Sequence, residues 1–166
     1  RFKVVCAGRR WVKSRLSIST IIRSSAKERI LRVWYVAPTY QMARQILWDD
    51  LQEVLPRKWI RKKNDTTMTI VLKNGSEIAL KGADKPDTLR GVALHFVVLD
   101  EFQDMKPDTW YKVLRPTLSS TRGGALIIGT PKGFSEFHKL WTIGQNKELQ
   151  RKGQWKSWQF VTADSP

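Results

Sequence analysis

An α/β domain with a mainly parallel central sheet is the fold class this sequence predicts, and three observations carry it. Short apolar runs alternate with helical patterns along the chain. One of those runs, His95-Phe96-Val97-Val98-Leu99, is apolar almost throughout, as a strand buried on both faces requires. The chain also opens on an apolar strand, Phe2 to Cys6, that passes through a basic loop, Ala7 to Ser14, into a helix through Arg15 to Ile22.

Each later element has its own signal. Ile30 to Ala37 is rich in Val, Trp and Tyr and reads as a strand stopped by Pro38. Thr39 caps a helix from Tyr40 to about Leu55, in which Ala43, Ile46, Leu47, Leu51, Val54 and Leu55 recur at helical spacing. Pro56 ends it, and the basic run Arg57, Lys58, Arg61, Lys62, Lys63 follows, either a solvated edge or a nucleic-acid contact. Thr67–Leu72 and Glu77–Lys81 flank Asn74-Gly75, a hairpin signal. After a looser segment, 82–91, and the apolar run at His95, Pro107 starts a helix carrying Trp110, Val113 and Leu114 until Pro116. Ala125 to Ile128 is a further buried strand. A helix over Glu136–Trp141 and a strand over Trp158–Val161 complete the chain.

At 166 residues the chain is one domain's worth, long enough to bury a substantial core, and eight Trp argue against disorder. The net charge of +15 favours an acidic polymer as partner, nucleic acid before anionic membrane. The single cysteine, Cys6, lies inside the first strand and reads as a small buried hydrophobe. No apolar run approaches membrane-spanning length, and no secretory leader is visible.

The chemistry concentrates where three strands end. A strand, a tight loop closing on Lys-Ser and a helix are the parts of a phosphate-binding loop, here Ala7, Gly8, Arg9, Arg10, Trp11, Val12, Lys13 and Ser14. In such a loop backbone N–H groups and the helix N-terminus surround an anion, the lysine reaches the terminal phosphates, and the hydroxyl is a Mg²⁺ ligand. Two positions depart from the pattern G-x-x-x-x-G-K-[ST]: Ala7 mildly, and Val12 seriously, because backbone and phosphate approach closely there and a β-branched residue resists φ > 0. The central strand ends in Asp100-Glu101. Asp100 suits Mg²⁺, and Glu101 suits orienting and deprotonating an attacking water. A nuclease-like cluster of Asp100, Glu101 and Asp104 is the weaker alternative. Arg9, Arg10 and Arg90 are candidates for stabilising charge on the γ-phosphate, and Thr130, after Gly129, is placed to sense that phosphate. Trp11 reads as packing as readily as base stacking. His95 and His138 read as structural.

Four segments, Ala-Gly-Arg-Arg-Trp-Val-Lys-Ser, Ala-Pro-Thr-Tyr, Val-Val-Leu-Asp-Glu and Ile-Ile-Gly-Thr-Pro-Lys-Gly, together resemble the ATPase domain of the large terminase subunit of tailed bacteriophages. The resemblance covers most of the chain. It implies a P-loop NTPase-like fold over residues 1–166 with a β-hairpin insertion, and ATP and Mg²⁺ as cofactors. It further implies a motor in the host cytoplasm that drives double-stranded DNA into a procapsid, working as a homo-oligomeric ring on the portal protein with a small terminase subunit. By the same resemblance Lys13 and Ser14 hold phosphate and Mg²⁺, Asp100 holds Mg²⁺, Glu101 is the catalytic acid and Arg9 is the loop arginine. Thr130 couples hydrolysis to movement, and Arg90, in Leu89-Arg90-Gly91, is a finger acting on a neighbouring subunit. The family's upstream adenine-contacting segment and downstream nuclease domain are missing, so the chain is expected to be a fragment that does not cleave DNA.

Two alternatives stay open. Asp100-Glu101-Phe102-Gln103-Asp104 also reads like the acidic motif of a superfamily-one helicase, although Lys13 and Asp100 lie close in sequence for that family and Gly-Thr-Pro-Lys-Gly does not fit it. Val12 in place of the family's glycine favours a catalytically impaired DNA-binding or ring-forming module.

Overall fold

The computed structural model describes residues 1–8, 11–27 and 30–161. Among the described residues eight strands form one sheet, in the order β3-β4-β5-β2-β6-β7-β1-β8. They are β1 (Phe2–Ala7), β2 (Arg32–Ala37), β3 (Ile60–Asn64), β4 (Thr69–Leu72), β5 (Glu77–Gly82), β6 (Phe96–Leu99), β7 (Gly124–Gly129) and β8 (Trp155–Phe160). From β5 to β8 all neighbours pair in parallel. Only β3–β4 and β4–β5 are antiparallel.

Alternation along the strands sends side chains to two cores. Phe2, Val4 and Cys6 of β1 join Trp34, Val97, Leu99 and Trp110 on one face. Val5 and Ala7 join Tyr35, Val98, Leu126 and Ile128 on the other. A period of two in a strand covered on both sides explains why β1, β2, β6 and β7 are apolar nearly end to end. The second face is covered by α1 (Lys13–Ser25), through Ile18 and Ile21, and by the helical segment after β2, through Leu47, Trp48 and Leu51. The first face is covered by a helical turn over Thr109–Leu114 and by α5 (Glu136–Gln145).

The hairpin signal is realised. Gly75 sits at φ +86°, its N–H donates to the Leu72 carbonyl at 3.0 Å, and Asn74 caps the turn while its amide ties down Ser25 and Lys27 at the end of α1. A strand missing from the sequence reading, β3, pairs outside β4 and forms the sheet's basic edge.

Several boundaries differ from expectation. The helix after Thr39 is capped as predicted, Thr39 accepting from the Met42 N–H, but it is not uniform: α2 (Tyr40–Ala43) and α3 (Asp49–Val54) are joined by a π-helical turn over Arg44–Trp48. The wider turn shifts the apolar stripe, so Leu47, Trp48 and Leu51 are fully buried while Val54 is exposed. The helix before Pro116 runs past it: a π-helical stretch over Thr109–Leu114 leads directly into the short α4 (Arg115–Thr117), and Pro116, which has no N–H to donate, falls in the last turn of that run. Ile30 lies outside β2 and is exposed, α5 is longer than expected, and β8 begins earlier, at Trp155. The short α6 (Lys147–Arg151) is capped by Asn146.

Candidate active site

Because β1, β6 and β7 run parallel, their carboxyl ends share one edge of the sheet, the usual ligand edge of such folds. The loop after β1, Asp100-Glu101 after β6 and Thr130 after β7 meet there. Together with Trp11, Ile46, Gln103, Asp104 and Lys132, the residues Lys13, Ser14, Asp100, Glu101 and Thr130 line a pocket of about 490 Å³.

Lys13 begins α1 and is 9% exposed. Its ammonium donates to Thr130 Oγ1 at 2.7 Å and lies 3.4 Å from Glu101 Oε1. A buried cation needs such compensation, and here the partners come from the two other strand ends. The first-turn N–H groups of a helix have no partner within it, and no side chain caps those of α1. The first residues of α1, Lys13 and Ser14, both line the pocket.

Val12 does not adopt the positive φ that its sequence position suggested. At φ −62°, ψ 45° it is the centre of an inverse γ-turn, closed by the Lys13 N–H donating to the Trp11 carbonyl at 2.6 Å. A β-branched residue tolerates that geometry. Valine is therefore unstrained in the backbone found here. Trp11 stacks on Phe160 with ring centroids 4.7 Å apart, so its ring packs against β8. Arg9 and Arg10 lie outside the described residues.

Asp100 is buried at the end of β6. One carboxylate oxygen accepts from the Tyr35 hydroxyl at 2.9 Å and the other from the Glu101 N–H at 2.8 Å. Burial pushes its pKa up, opposed by the Tyr35 hydrogen bond and the Lys13 charge. Burial beside that carboxyl drives the Tyr35 hydroxyl up as well, so it stays a donor. Glu101 sits at φ +50°, ψ 44°, a left-handed conformation costing a non-glycine residue about 1–3 kcal/mol. The chain turns there so that Asp100 stays in the core while Glu101 enters the pocket.

Gln103 was missed as a site residue by the sequence reading. Its amide donates to Glu101 Oε2 at 2.6 Å and Asp104 Oδ2 at 3.1 Å, while its carbonyl accepts from the Thr130 N–H at 3.0 Å. A Cβ on Gly129 would stand 2.5 Å from that carbonyl oxygen, which accounts for glycine before Thr130. Tyr35 was missed too. Its signal was a hydroxyl in an otherwise apolar strand, where a buried tyrosine needs a partner.

Arg90 does not line this pocket. It is exposed, pairs with Asp87 at 3.4 Å and borders a separate depression with Gly91, Val92 and Val113. Asp104 pairs instead with Lys132 at 2.6 Å, and no group of three His, Cys, Asp or Glu among the described residues is gathered to hold a metal, so the three-acid nuclease arrangement does not form. The donor set of the pocket, a Ser14 hydroxyl and the buried Asp100 carboxylate, is hard oxygen chemistry and fits Mg²⁺. His95 accepts from the Arg32 N–H, and His138 stacks on Trp141; neither lines the pocket. Cys6 is buried and free.

Known proteins share this fold and sequence pattern. The ATPase domain of the Thermus phage P74-26 large terminase superposes with a TM-score of 0.84 at 26% identity, over 98% of this chain and 76% of that one. A large terminase from another thermophilic bacteriophage, solved in complex with ADP, shares the fold, with a TM-score of 0.71 at 16% identity over 98% of this chain and 40% of that one. The terminase large subunit of Thermus phage G20c is 32% identical over 162 residues, covering 86% of this chain and 33% of that protein. That of Escherichia phage T5 is 29% identical over 170 residues, covering 100% and 38%. The chain thus spans about a third of the length of these two relatives. The family model for the N-terminal part of the T4-like terminase large subunit matches residues 21–164, a stretch that begins after Lys13 and owes nothing to the altered loop. The helicase alternative gives way, and the chain belongs to the terminase large-subunit family.

Proposed function

We propose that this chain hydrolyses ATP and that hydrolysis drives double-stranded DNA into a procapsid. The observation that carries the reading is the convergence of Lys13, Asp100, Glu101 and Thr130 on one pocket from three strand ends. The thermophilic phage terminase of the same fold has been solved with ADP and with ATP-γ-S, which supports a nucleotide as the occupant.

Phosphoryl transfer asks chiefly for positioning and charge stabilisation. Lys13 and the uncapped first turn of α1 bind the terminal phosphates, which requires the ammonium to exchange Glu101 and Thr130 for phosphate oxygens. Ser14 and Asp100 hold Mg²⁺, which when bound neutralises charge on the β- and γ-phosphates. Once Lys13 turns to phosphate, Glu101 is released as the base that orients and deprotonates water. Thr130, freed at its hydroxyl but held at its N–H by Gln103, reports the γ-phosphate to the loop after β7. Arg9 serves as the loop arginine, and Arg90, away from its own pocket, serves a neighbouring subunit in a homo-oligomeric ring. The portal protein and a small terminase subunit are the further partners, in the host cytoplasm. No helix among the described residues is long and apolar enough to cross a membrane.

The test is Mg²⁺-dependent phosphate release with and without double-stranded DNA, comparing the protein with Lys13→Ala. Turnover lost in the variant supports the reading. Equal turnover in both, or none in either after Val12→Gly, overturns it in favour of a non-catalytic module.

A further inference from the structure

Beyond the nucleotide site, the sheet ends in a surface with a different character. Arg57 and Lys58 lie on a 3₁₀ turn, Arg61 and Lys62 on β3, and Lys73 on the β4–β5 turn; all five are exposed. None of the five makes an ion pair among the described residues, whereas Lys63, at the far end of β3, is neutralised by Asp65 at 3.1 Å. Elsewhere many cations are answered locally, as in Lys112–Asp108, Lys132–Asp104 and Lys152–Glu148.

Lysines on an outer strand also serve to block edge-to-edge association. That role alone does not account for what stands here. The charge continues past the strand at both ends, through Arg57 and Lys58 and across to Lys73. An exposed indole, Trp59, sits in its middle, where edge protection would avoid an apolar group. The Trp59 carbonyl accepts from the Lys73 N–H at 2.8 Å, fixing turn and hairpin together, and Lys58, Trp59 and Lys73 share a shallow depression of about 220 Å³. The pairing register also shifts between Ile60 and Lys62, leaving Arg61 as an extra residue that bends the edge. Unpaired cations spread along a fixed edge with an aromatic among them suit a polyanion whose charges repeat along its length, recognised without regard to sequence.

We infer that the Arg57–Lys62 edge, with Lys73, is the surface on which this protein holds the phosphate backbone of double-stranded DNA. The choice of duplex rests on the packaging reading above; the location rests on the charge pattern alone. The site lies on the far edge of the sheet from β1 and β8, so DNA contact and the loop after β1 occupy different parts of the fold.

The test is binding of a labelled random-sequence duplex over a salt series by three proteins: the unaltered chain, Arg61→Glu/Lys62→Glu, and Lys147→Glu/Arg151→Glu. The last carries the same change in net charge on α6. The β3 pair should weaken binding about tenfold or more and lower the slope of log K against log salt by about two, since each lost phosphate contact removes ~0.9. The α6 pair should change affinity less than about threefold, with its slope kept. Thermal melting of each variant confirms folding. Equal effects of the two pairs, or none from the β3 pair, overturn this surface while leaving the packaging reading intact. Failure of the unaltered protein to bind duplex at all overturns both. Stronger retention on phosphatidylglycerol vesicles than on duplex, lost in the β3 pair, overturns the nucleic-acid assignment.

Discussion

The Gln103 side-chain carbonyl accepts a hydrogen bond from the Thr130 N–H at 3.0 Å, and the same side chain donates to Glu101 at 2.6 Å. One amide thus ties Glu101, the acid proposed to activate water, to Thr130, the residue proposed to sense the γ-phosphate. Gln103→Ala should leave the Thr130 N–H unsatisfied and Glu101 free to swing. Turnover should fall about 10- to 100-fold with KM for ATP changed less, and stability should drop by about 1–2 kcal/mol. Steady-state kinetics and urea melts check both; an unchanged kcat contradicts the tie.

Glu101→Ala should abolish turnover, a loss of about 10²–10⁴-fold, while nucleotide affinity holds. Fluorescent-nucleotide titration beside phosphate release separates the two, and a loss of binding would contradict its role as base. Glu101→Gly should be more stable than Glu101→Ala by about 1 kcal/mol, because only glycine takes φ +50° without strain.

Asp100 gives a pH prediction. Burial raises its folded pKa above the unfolded value, so the folded state binds that proton more tightly. Its stabilising contribution is complete below the unfolded pKa and is lost as pH rises through the folded one. Asp100→Asn removes the buried charge; its one amide oxygen can accept from the Glu101 N–H, while its NH2 donates to the Tyr35 oxygen, turning that hydroxyl from donor to acceptor. The variant should melt about 3 °C higher at pH 7, the shift that ~1 kcal/mol produces in a domain of this size, with the gap closing toward about pH 3. It should lose Mg²⁺-dependent turnover. A lower melting temperature at pH 7 would show that the charged form is favoured in the fold.

Val12→Gly separates backbone from bulk. Since Val12 already sits at negative φ, glycine should gain nothing in the folded backbone and should cost about 1 kcal/mol of stability through the unfolded chain. Nucleotide affinity should rise if the isopropyl group crowds the phosphate. Calorimetric titration with an ATP analogue decides, and equal affinities would show that valine is accommodated.

Arg90→Ala should be silent in the monomer and should lower turnover about 10³-fold in the assembled ring, as expected of a cation supplied to a neighbour. Comparing kcat below and above the assembly concentration checks this. A defect in the monomer contradicts it.

Much of this was legible in the chain. Phe2–Cys6, His95–Leu99 and Ala125–Ile128 announced buried strands by composition. Asn74-Gly75 announced its turn, Asp100, Glu101 and Thr130 stood just after strands, and Lys13 and Ser14 closed the loop that follows the first strand. Tyr35 and Gln103 did not, because nothing nearby in sequence says what their polar atoms will meet. The short β3, made of Ile-Arg-Lys-Lys-Asn, lacks the apolar alternation that marks a strand, since only Ile60 packs on a core and the rest are held by pairing with β4.

By itself, then, the sequence determined most of the strands and helices, β3 apart, and that three charged loops close strands, because those properties follow from neighbours two to four positions apart. The order of strands, the negative φ at Val12, the separation of Arg90 from the pocket and the Gln103 tie were decided only in three dimensions. Lys13 meets Thr130 across 117 positions, and Gln103 meets Thr130 across 27. Contacts of that span depend on how the whole sheet assembles, and no local pattern of residues encodes them.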